Sequence, residues 1–167
     1  MTPNLSAFMT MIAVSEGTEQ EPDAYRVCFA KRHVIHDLSF HPHELRPDGT
    51  REWGGERLTD EQCANVGLSP GCISSAAGRY QLTLPTWLRV KGILKLNNFG
   101  PDSQDDACVQ LLKERGALDL IFAGRVGDAI PLCHTEWASL PGSTAGQPIT
   151  PFAKLINAYA NAGGAFA

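Results

Sequence analysis

The chain has 167 residues, a net charge of −4, 43% hydrophobic residues and 19% charged residues, all ordinary values for a soluble globular protein. The length suits one domain with a sizeable core and a cleft. The acidic balance argues against a nucleic-acid partner. No apolar run approaches the ~20 residues that a membrane-spanning helix needs, so we expect no stable membrane insertion.

The N-terminus lacks the basic region and apolar core of a signal peptide, which predicts synthesis in the cytoplasm and another route for any export. Five cysteines are scattered along the chain without a Cys-x-x-Cys pair. This pattern favours reduced thiols over a disulfide framework. A disulfide between Cys63 and Cys72, closing a small loop, remains the alternative.

The first predicted helix ends at the most informative position of the chain. Apolar residues recur at helical spacing over residues 5–13, Pro3 stands where a first turn tolerates it, and Gly17 is a natural end. Glu16 therefore lies in the last turn. The oriented carbonyl groups there disfavour the charged form of a carboxyl group.

The acids that follow add to this effect. Glu19, Glu21 and Asp23 come before the first basic residue, Arg26, and like charges or burial would raise the pKa of Glu16 further. A carboxyl group that keeps its proton near neutral pH can act as a general acid. From this stretch alone, a surface glutamate placed beside a glycine turn is the favoured interpretation.

Residues 25–40 change pattern. Tyr25, Val27 and Phe29 alternate with small or polar residues, which predicts a β-hairpin or small meander and hence a β-lobe over residues 24–45. Four histidines in this region have spacings that can bind zinc: His33, His36, His41 and His43. Residues three apart on a strand point to opposite faces, so we favour surface or hydrogen-bonded histidines over a zinc hydrolase site.

Residues 46–74 are polar and rich in glycine and proline, which predicts an exposed excursion from the main fold. Thr59 and Gln62 have the spacing of a capping box, so one short helix begins there and ends at Gly67. Trp53 either anchors this excursion or offers a platform for a sugar ring, and we favour the anchor.

The stretch over residues 74–82 is the second informative segment. Its small residues and Gly78 let the backbone approach a ligand, while Tyr80 and Gln81 offer an aromatic face and an amide. From these residues alone we favour a loop that leads into a helix, with Tyr80 in the core.

The remaining chain is predicted to be helical. Helices are expected after Pro85, from a cap at Ser103 to Gly116, from Val126 through Pro131 to Trp137, and from Thr150 to Gly163. The fold class is therefore α+β, with a mainly helical body and a small β-lobe inserted after the first helix.

Several motifs in this order resemble glycoside hydrolase family 104, the lambda-type phage endolysins, which are peptidoglycan lytic transglycosylases with a lysozyme-like fold. The motifs are Ser15-Glu16-Gly17-Thr18, the Ala-Gly-Arg-Tyr-Gln of residues 77–81, residues 113–118 and Trp137-Ala138-Ser139-Leu140-Pro141-Gly142. The excursion over residues 46–74 is much longer than in the lambda protein.

The resemblance implies one lysozyme-like catalytic domain over residues 1–167, with an antiparallel β-lobe flanking a substrate cleft. It implies that Glu16 is the catalytic carboxyl group and that no metal or cofactor is needed. The residues it places in the sugar cleft are Tyr80, Gln81, Ser75, Tyr25 and Gln147. It also implies a monomer that acts on peptidoglycan glycan strands after holin-type release from the host cytoplasm.

The expected reaction is cleavage of the bond between N-acetylmuramic acid (MurNAc) and N-acetylglucosamine (GlcNAc), leaving 1,6-anhydro ends. A hydrolytic lysozyme on the same bond is an alternative, but it normally needs a second carboxylate, for which Asp23 and Asp37 are available. The other alternative is a non-catalytic protein that binds peptidoglycan without cutting it.

Overall fold

Seven α-helices and one two-stranded antiparallel sheet make up the regular structure of the chain, which confirms the α+β class. The computed structural model describes residues 1–167. The elements are α1 (Pro3–Ser15), β1 (Glu56–Arg57), α2 (Asp60–Asn65), β2 (Ile73–Ser74), α3 (Leu84–Leu94), α4 (Pro101–Glu114), α5 (Leu118–Phe122), α6 (Val126–Cys133) and α7 (Phe152–Asn161). No helix is long and apolar enough to cross a membrane.

The chain divides into two compact units. The first unit is formed by Met1–Gln20 and Cys108–Ala167, and the second by Glu21–Ala107. The first unit therefore combines the two ends of the chain. The prediction that residues 1–167 act as a single catalytic domain stays a prediction.

Helix α1 organises the first unit. The hydroxyl of Thr2 accepts a hydrogen bond from the amide of Leu5 at 3.3 Å and caps the helix, whose buried residues include Phe8 and Ile12. Helix α1 packs against α7 and α5. The buried apolar face stabilises the helix. The helix ends beside Glu16, as predicted.

Three aromatic rings form the centre of the second unit. Phe99 is packed edge-to-face against Trp87, with ring centroids 4.7 Å apart, and against His41 at 4.8 Å. All three side chains are fully buried. Edge-to-face pairs of this kind add about 0.5–1.5 kcal/mol beyond the burial of their area.

The predicted strands over residues 24–45 are wrong. Two short 3-10 turns occupy Ala24–Arg26 and Phe29–Lys31, and a single bridge joins Val27 to Val34. Ala30 and Lys31 have φ angles of 53° and 57°, which interrupt an extended strand. The alternating apolar residues belong to an irregular loop with backbone bonds both inside it, from Ile35 N to the Arg26 carbonyl at 2.8 Å, and outside it, from Phe29 N to the Ala76 carbonyl at 2.8 Å.

The β-structure lies instead within the segment predicted as the polar excursion. β1 pairs with β2 in an antiparallel register, with Glu56 opposite Ser74, and α2 lies between them. The capping box at the start of α2 is confirmed: Gln62 N donates to the Thr59 hydroxyl at 3.2 Å, and Thr59 N donates to the Gln62 side chain at 2.9 Å.

Cys63 and Cys72 form a disulfide, so the preference for reduced thiols is wrong for this pair. The last turns of α2 bring Cys63 opposite the residue that precedes β2, with a Cα–Cα distance of 5.8 Å, within bridging range. The other three cysteines, Cys28, Cys108 and Cys133, are buried and free, as predicted.

Two helix boundaries differ from the predictions. Helix α4 begins at Pro101 and therefore contains Ser103. The Ser103 hydroxyl donates to the Asn98 side chain at 3.1 Å instead of capping the helix. Helix α6 ends at Cys133, two residues after Pro131, which removes one hydrogen bond from the helix interior.

Candidate active site

Glu16 is the C-terminal cap of α1. Its backbone amide donates to the carbonyl of Ile12 at 2.9 Å, and Gly17 follows with a φ angle of 72°, a conformation that glycine adopts without strain. The Glu16 side chain is half-buried. Its Oε1 accepts a hydrogen bond of 2.6 Å from the Ser139 hydroxyl.

Burial is the main cause that raises the pKa of Glu16, to about 7, while the hydrogen bond from Ser139 opposes the shift. The predicted direction is confirmed. Burial, one of the two predicted causes, raises the pKa of Glu16, whereas the neighbouring acids do not contribute to the shift. A carboxyl group with this pKa is present in both protonation states at neutral pH.

The segment that follows α6 positions Ser139. Trp137 and Leu140 are buried on either side of it, and the backbone amide of Thr150 donates to the Ser139 carbonyl at 2.8 Å. Ser139 itself is 8% exposed. Sequence reasoning included it only as part of a loop; the signal that could have found it is the motif over residues 137–142.

Tyr80 and Tyr25 share one carboxylate partner in the second unit. The Tyr80 hydroxyl donates to Oδ1 of Asp105 at 2.7 Å, and the Tyr25 hydroxyl donates to the same atom at 2.9 Å. The Arg79 guanidinium donates to both hydroxyls, at 3.0 Å to Tyr25 and 3.3 Å to Tyr80. We call these four residues the tyrosine–aspartate network.

The placement of Tyr80 as a sugar-binding residue is contradicted by its burial. Its side chain is 0% exposed, so no aromatic face is available to a ligand. Tyr80 lies in the core, as the residues of this stretch alone predict, and only the resemblance placed it in the sugar cleft. Tyr25 is half-buried, and its hydroxyl is engaged in the same network.

Gln81 retains one polar group for a ligand. It has a φ angle of 49°, and its side-chain nitrogen donates to the carbonyls of Val27 at 3.0 Å and Gly78 at 2.9 Å. These two bonds hold a left-handed backbone conformation that is uncommon for a residue with a side chain. The amide oxygen is the group left to accept a hydrogen bond.

Ser75 and Gln147 differ in their roles. Ser75 is 8% exposed, and its hydroxyl accepts the backbone amide of Leu84 at 2.9 Å, at the start of α3. The Ser75 hydroxyl thus supports the start of α3, and sugar binding by Ser75 stays a prediction. Gln147 is half-buried in the loop between Ser139 and Thr150, within the first unit.

The endolysin family model matches residues 6–166. The chain is 36% identical over 161 residues to the endolysin of Escherichia phage P2, covering 96% of this chain and 93% of the relative. It is 36% identical over 163 residues to the endolysin of Escherichia phage lambda, covering 95% and 90%.

The chain belongs to the endolysin family. It is also similar to two solved structures of the lysozyme from bacteriophage lambda, one of them in complex with a chitohexasaccharide. The complex has 33% identity and a TM-score of 0.80, and the second structure has 32% and 0.75; each match covers 100% of this chain and 98% of the other.

These similarities confirm the lysozyme-like fold, and this endolysin is a peptidoglycan-cleaving enzyme. The region over residues 24–45 lacks the predicted strands. The small sheet of the protein is formed by β1 and β2, which lie outside that region.

Three of the four histidines of this endolysin make side-chain hydrogen bonds within the fold. His41 is fully buried; its Nε2 lies 3.0 Å from the Leu82 carbonyl, and its Nδ1 accepts the amide of His43 at 3.2 Å. Burial lowers the pKa of His41 to about 4, which keeps the ring neutral. His33 bonds to Glu52 at 2.9 Å.

His43 bonds to the carbonyl of Trp53 at 3.0 Å, and His36 is exposed. The prediction of surface or hydrogen-bonded histidines is confirmed. Trp53 stacks on the His33 ring with centroids 6.4 Å apart and planes 6° from parallel. This contact fits the role of an anchor for the excursion.

Proposed function

We propose that the chain cleaves the MurNAc-β-1,4-GlcNAc bond of peptidoglycan by lytic transglycosylation, with Glu16 as its catalytic acid and base. The observation that carries this proposal is the half-buried carboxyl group at the end of α1, with its pKa raised to about 7. The chitohexasaccharide bound by the lambda lysozyme supports a glycan strand as the partner.

In the first step, protonated Glu16 gives its proton to the glycosidic oxygen as the bond to C1 of MurNAc breaks. The leaving GlcNAc gains a hydroxyl group, and positive charge develops at C1 and its ring oxygen. A group with a pKa near 7 is still protonated in about half of the molecules at neutral pH, so it can supply this proton.

In the second step, the Glu16 carboxylate takes the proton of the C6 hydroxyl of the same MurNAc. The C6 oxygen then bonds to C1 and closes a 1,6-anhydro ring. No water is added, and Glu16 regains its starting protonation state. One carboxyl group therefore serves both steps, and no metal or cofactor takes part.

The carboxylates considered as partners for a hydrolytic reaction are used locally. Asp23 accepts the amide of Tyr25 at 3.1 Å and the side chain of Arg26 at 3.1 Å. Asp37 accepts the amide of Ser39 at 2.9 Å and pairs with Arg46 at 3.2 Å. These contacts favour the reaction that needs a single carboxyl group.

The remaining parts of the proposal rest on the family. We infer that the protein acts as a monomer on glycan strands, without nucleic acid or membrane insertion. It reaches the wall from the host cytoplasm after a holin-type release. The Gln81 amide oxygen and the Gln147 side chain are its proposed contacts to sugar.

The test is mass spectrometry of the soluble muropeptides released from purified cell walls. Anhydro ends, lighter by one water than reducing ends, support transglycosylation; reducing ends would identify a hydrolase. Glu16→Gln is the matched control. It should bind walls and fold as the wild type does but release no muropeptides, and equal lysis by the two proteins would remove Glu16 from its role.

A further inference from the structure

We propose that the hydroxyl groups of Ser15 and Ser139 form a directed chain of donors that fixes the Glu16 side chain and leaves the acidic proton on Oε2. This inference deepens the proposed function and rests on Glu16 being the acid. Ser15 and Ser139 are positioning residues in this scheme, since neither needs to touch the substrate.

The chain of hydroxyl groups is continuous and short. Ser15 Oγ lies 2.7 Å from Ser139 Oγ, and Ser139 Oγ lies 2.6 Å from Oε1 of Glu16. The first distance is a common one for a hydrogen bond between hydroxyl oxygens, and the second lies at the short end of the range, as expected for a bond to a carboxyl group. The three side chains come from the end of α1 and from the segment after α6, within one compact unit.

The direction of the chain follows from the number of protons. Each serine hydroxyl has one proton, so Ser139 cannot donate to Glu16 and to Ser15 together. When Ser139 donates to Oε1, Ser15 is the donor to Ser139. The opposite direction would require Glu16 to donate from Oε1, and its acidic proton would then be held inside the chain.

The catalytic cycle favours the first direction. After Glu16 has given up its proton, the carboxylate can only accept hydrogen bonds, so a chain in the opposite direction would have to reverse in every turnover. A chain that runs from Ser15 to Ser139 to Glu16 is satisfied in both states. It makes Oε1 a permanent acceptor, and Oε2 becomes the atom that carries and returns the proton.

Among the polar groups around Glu16, the Ser139 hydroxyl is the one that affects the pKa of this carboxyl group. Helix α1 contains no charged residue, and the elements packed against it carry Asp119 on α5 and Lys154 on α7. His134 and Glu136 precede Ser139 in the chain. The causes of the Glu16 pKa shift are burial and the Ser139 hydroxyl, and none of these charged groups is among them.

The experiment combines a ¹³C-carboxyl NMR titration of Glu16 with the pH profile of kcat. In Ser139→Ala the pKa of Glu16 should rise by about one unit or more, because a hydrogen bond to a charged acceptor is lost. The alkaline limb of the kcat profile should move by the same amount. At pH 5–6 kcat should fall about tenfold with little change in KM, since the acid remains protonated but loses its fixed orientation.

Four further variants separate positioning from mere packing. Ser15→Ala should raise the pKa of Glu16 by less than Ser139→Ala does, and the double variant should match Ser139→Ala alone, because Ser15 acts through Ser139. Ser139→Thr keeps the donor and should restore the wild-type pKa. Ser6→Ala, at an exposed position on the same helix, is the matched control and should change nothing.

The proposal fails if Ser139→Ala leaves the pKa of Glu16 unchanged, or if the two alanine substitutions add. If Ser139→Ala does not fold, Ser139→Cys, which has a weaker donor of similar shape, should give a smaller shift in the same direction. The titration does not depend on activity. Lysis by Glu16→Gln would therefore overturn the proposed function, whereas an unmoved pKa in the serine variants would overturn the hydroxyl chain alone.

Discussion

The Tyr80 hydroxyl donates a hydrogen bond of 2.7 Å to Oδ1 of Asp105, across 25 residues of sequence. The fully buried ring and its hydroxyl thus hold together the loop before α3 and the helix α4. A tyrosine in a motif shared with sugar-cleaving enzymes is here part of the core. Its hydroxyl serves to satisfy a carboxylate inside the tyrosine–aspartate network.

Replacing Tyr80 by Phe should therefore reduce stability and leave catalysis intact. The loss of one donor to the Asp105 carboxylate should lower the free energy of unfolding by about 1–2 kcal/mol, measured by urea denaturation. Tyr25→Phe, at a half-buried position on the same oxygen, is the matched control and should cost less. Unchanged stability with a raised KM would return Tyr80 to the sugar site.

Replacing Glu16 by Gln should stabilise the protein at high pH. The pKa of this carboxyl group is 4.5 when unfolded and about 7 when folded, so between these values the folded state binds more protons and stability falls as the pH rises. The ionised group costs on the order of 3 kcal/mol above pH 7. Glutamine retains an oxygen for Ser139 without that cost.

The measurement is the free energy of unfolding of both proteins from pH 4 to pH 8. The difference should be near zero at pH 4 and should grow to its full size by pH 7–8. Glu61→Gln, at an exposed position on α2, is the control and should show no such growth. Equal stability of wild type and Glu16→Gln at pH 8 would contradict burial as the cause of the shift.

Removing the disulfide should destabilise the excursion. Cys63 and Cys72 are nine residues apart. Closing a loop of this size lowers the conformational entropy of the unfolded chain, which should stabilise the folded state by about 3 kcal/mol. The Cys63→Ala/Cys72→Ala variant should lose that amount in urea denaturation. A reducing agent should destabilise the wild type and leave the variant unaffected.

A thiol titration in denaturant provides the independent check. The oxidised protein should expose three reactive thiols, those of Cys28, Cys108 and Cys133. Five thiols in protein purified under oxidising conditions would show that the pair does not form.

Local signals in the sequence were sufficient to predict where several elements begin or end. The apolar period before Gly17 placed Glu16 at the end of α1, and the Thr59–Gln62 pair located α2. Each signal is carried by residues within one or two helical turns of one another, and the physics that determines it is equally local.

Relationships between distant residues could not be predicted in the same way. The partner of Glu16 lies 123 residues away, and nothing in the period of either segment links Ser139 to it. The hydrogen bond from Tyr80 to Asp105 in α4 and the burial of the Tyr80 ring form only in the folded chain, so the motif over residues 77–81 could not by itself exclude this tyrosine from the sugar cleft.

The strand prediction over residues 24–45 was wrong for a different reason. Alternation of apolar residues predicts a strand only if the backbone stays extended, and the left-handed conformations of Ala30 and Lys31 have no marker in those residue types. The neutral state of His41 likewise depends on residues that are distant in the sequence. His41 is neutral because it is buried between the Leu82 carbonyl and Phe99, a neighbourhood assembled by folding.

Because the first unit is built from both ends of the chain, the order of synthesis bears on when Glu16 meets its partner. The ribosome makes the acid early, and the serine that bonds to it follows only after 123 further residues. A nascent or prematurely terminated polypeptide thus carries Glu16 without the hydroxyl beside it. Stalled translation would yield fragments with an unsupported acid rather than partial enzymes.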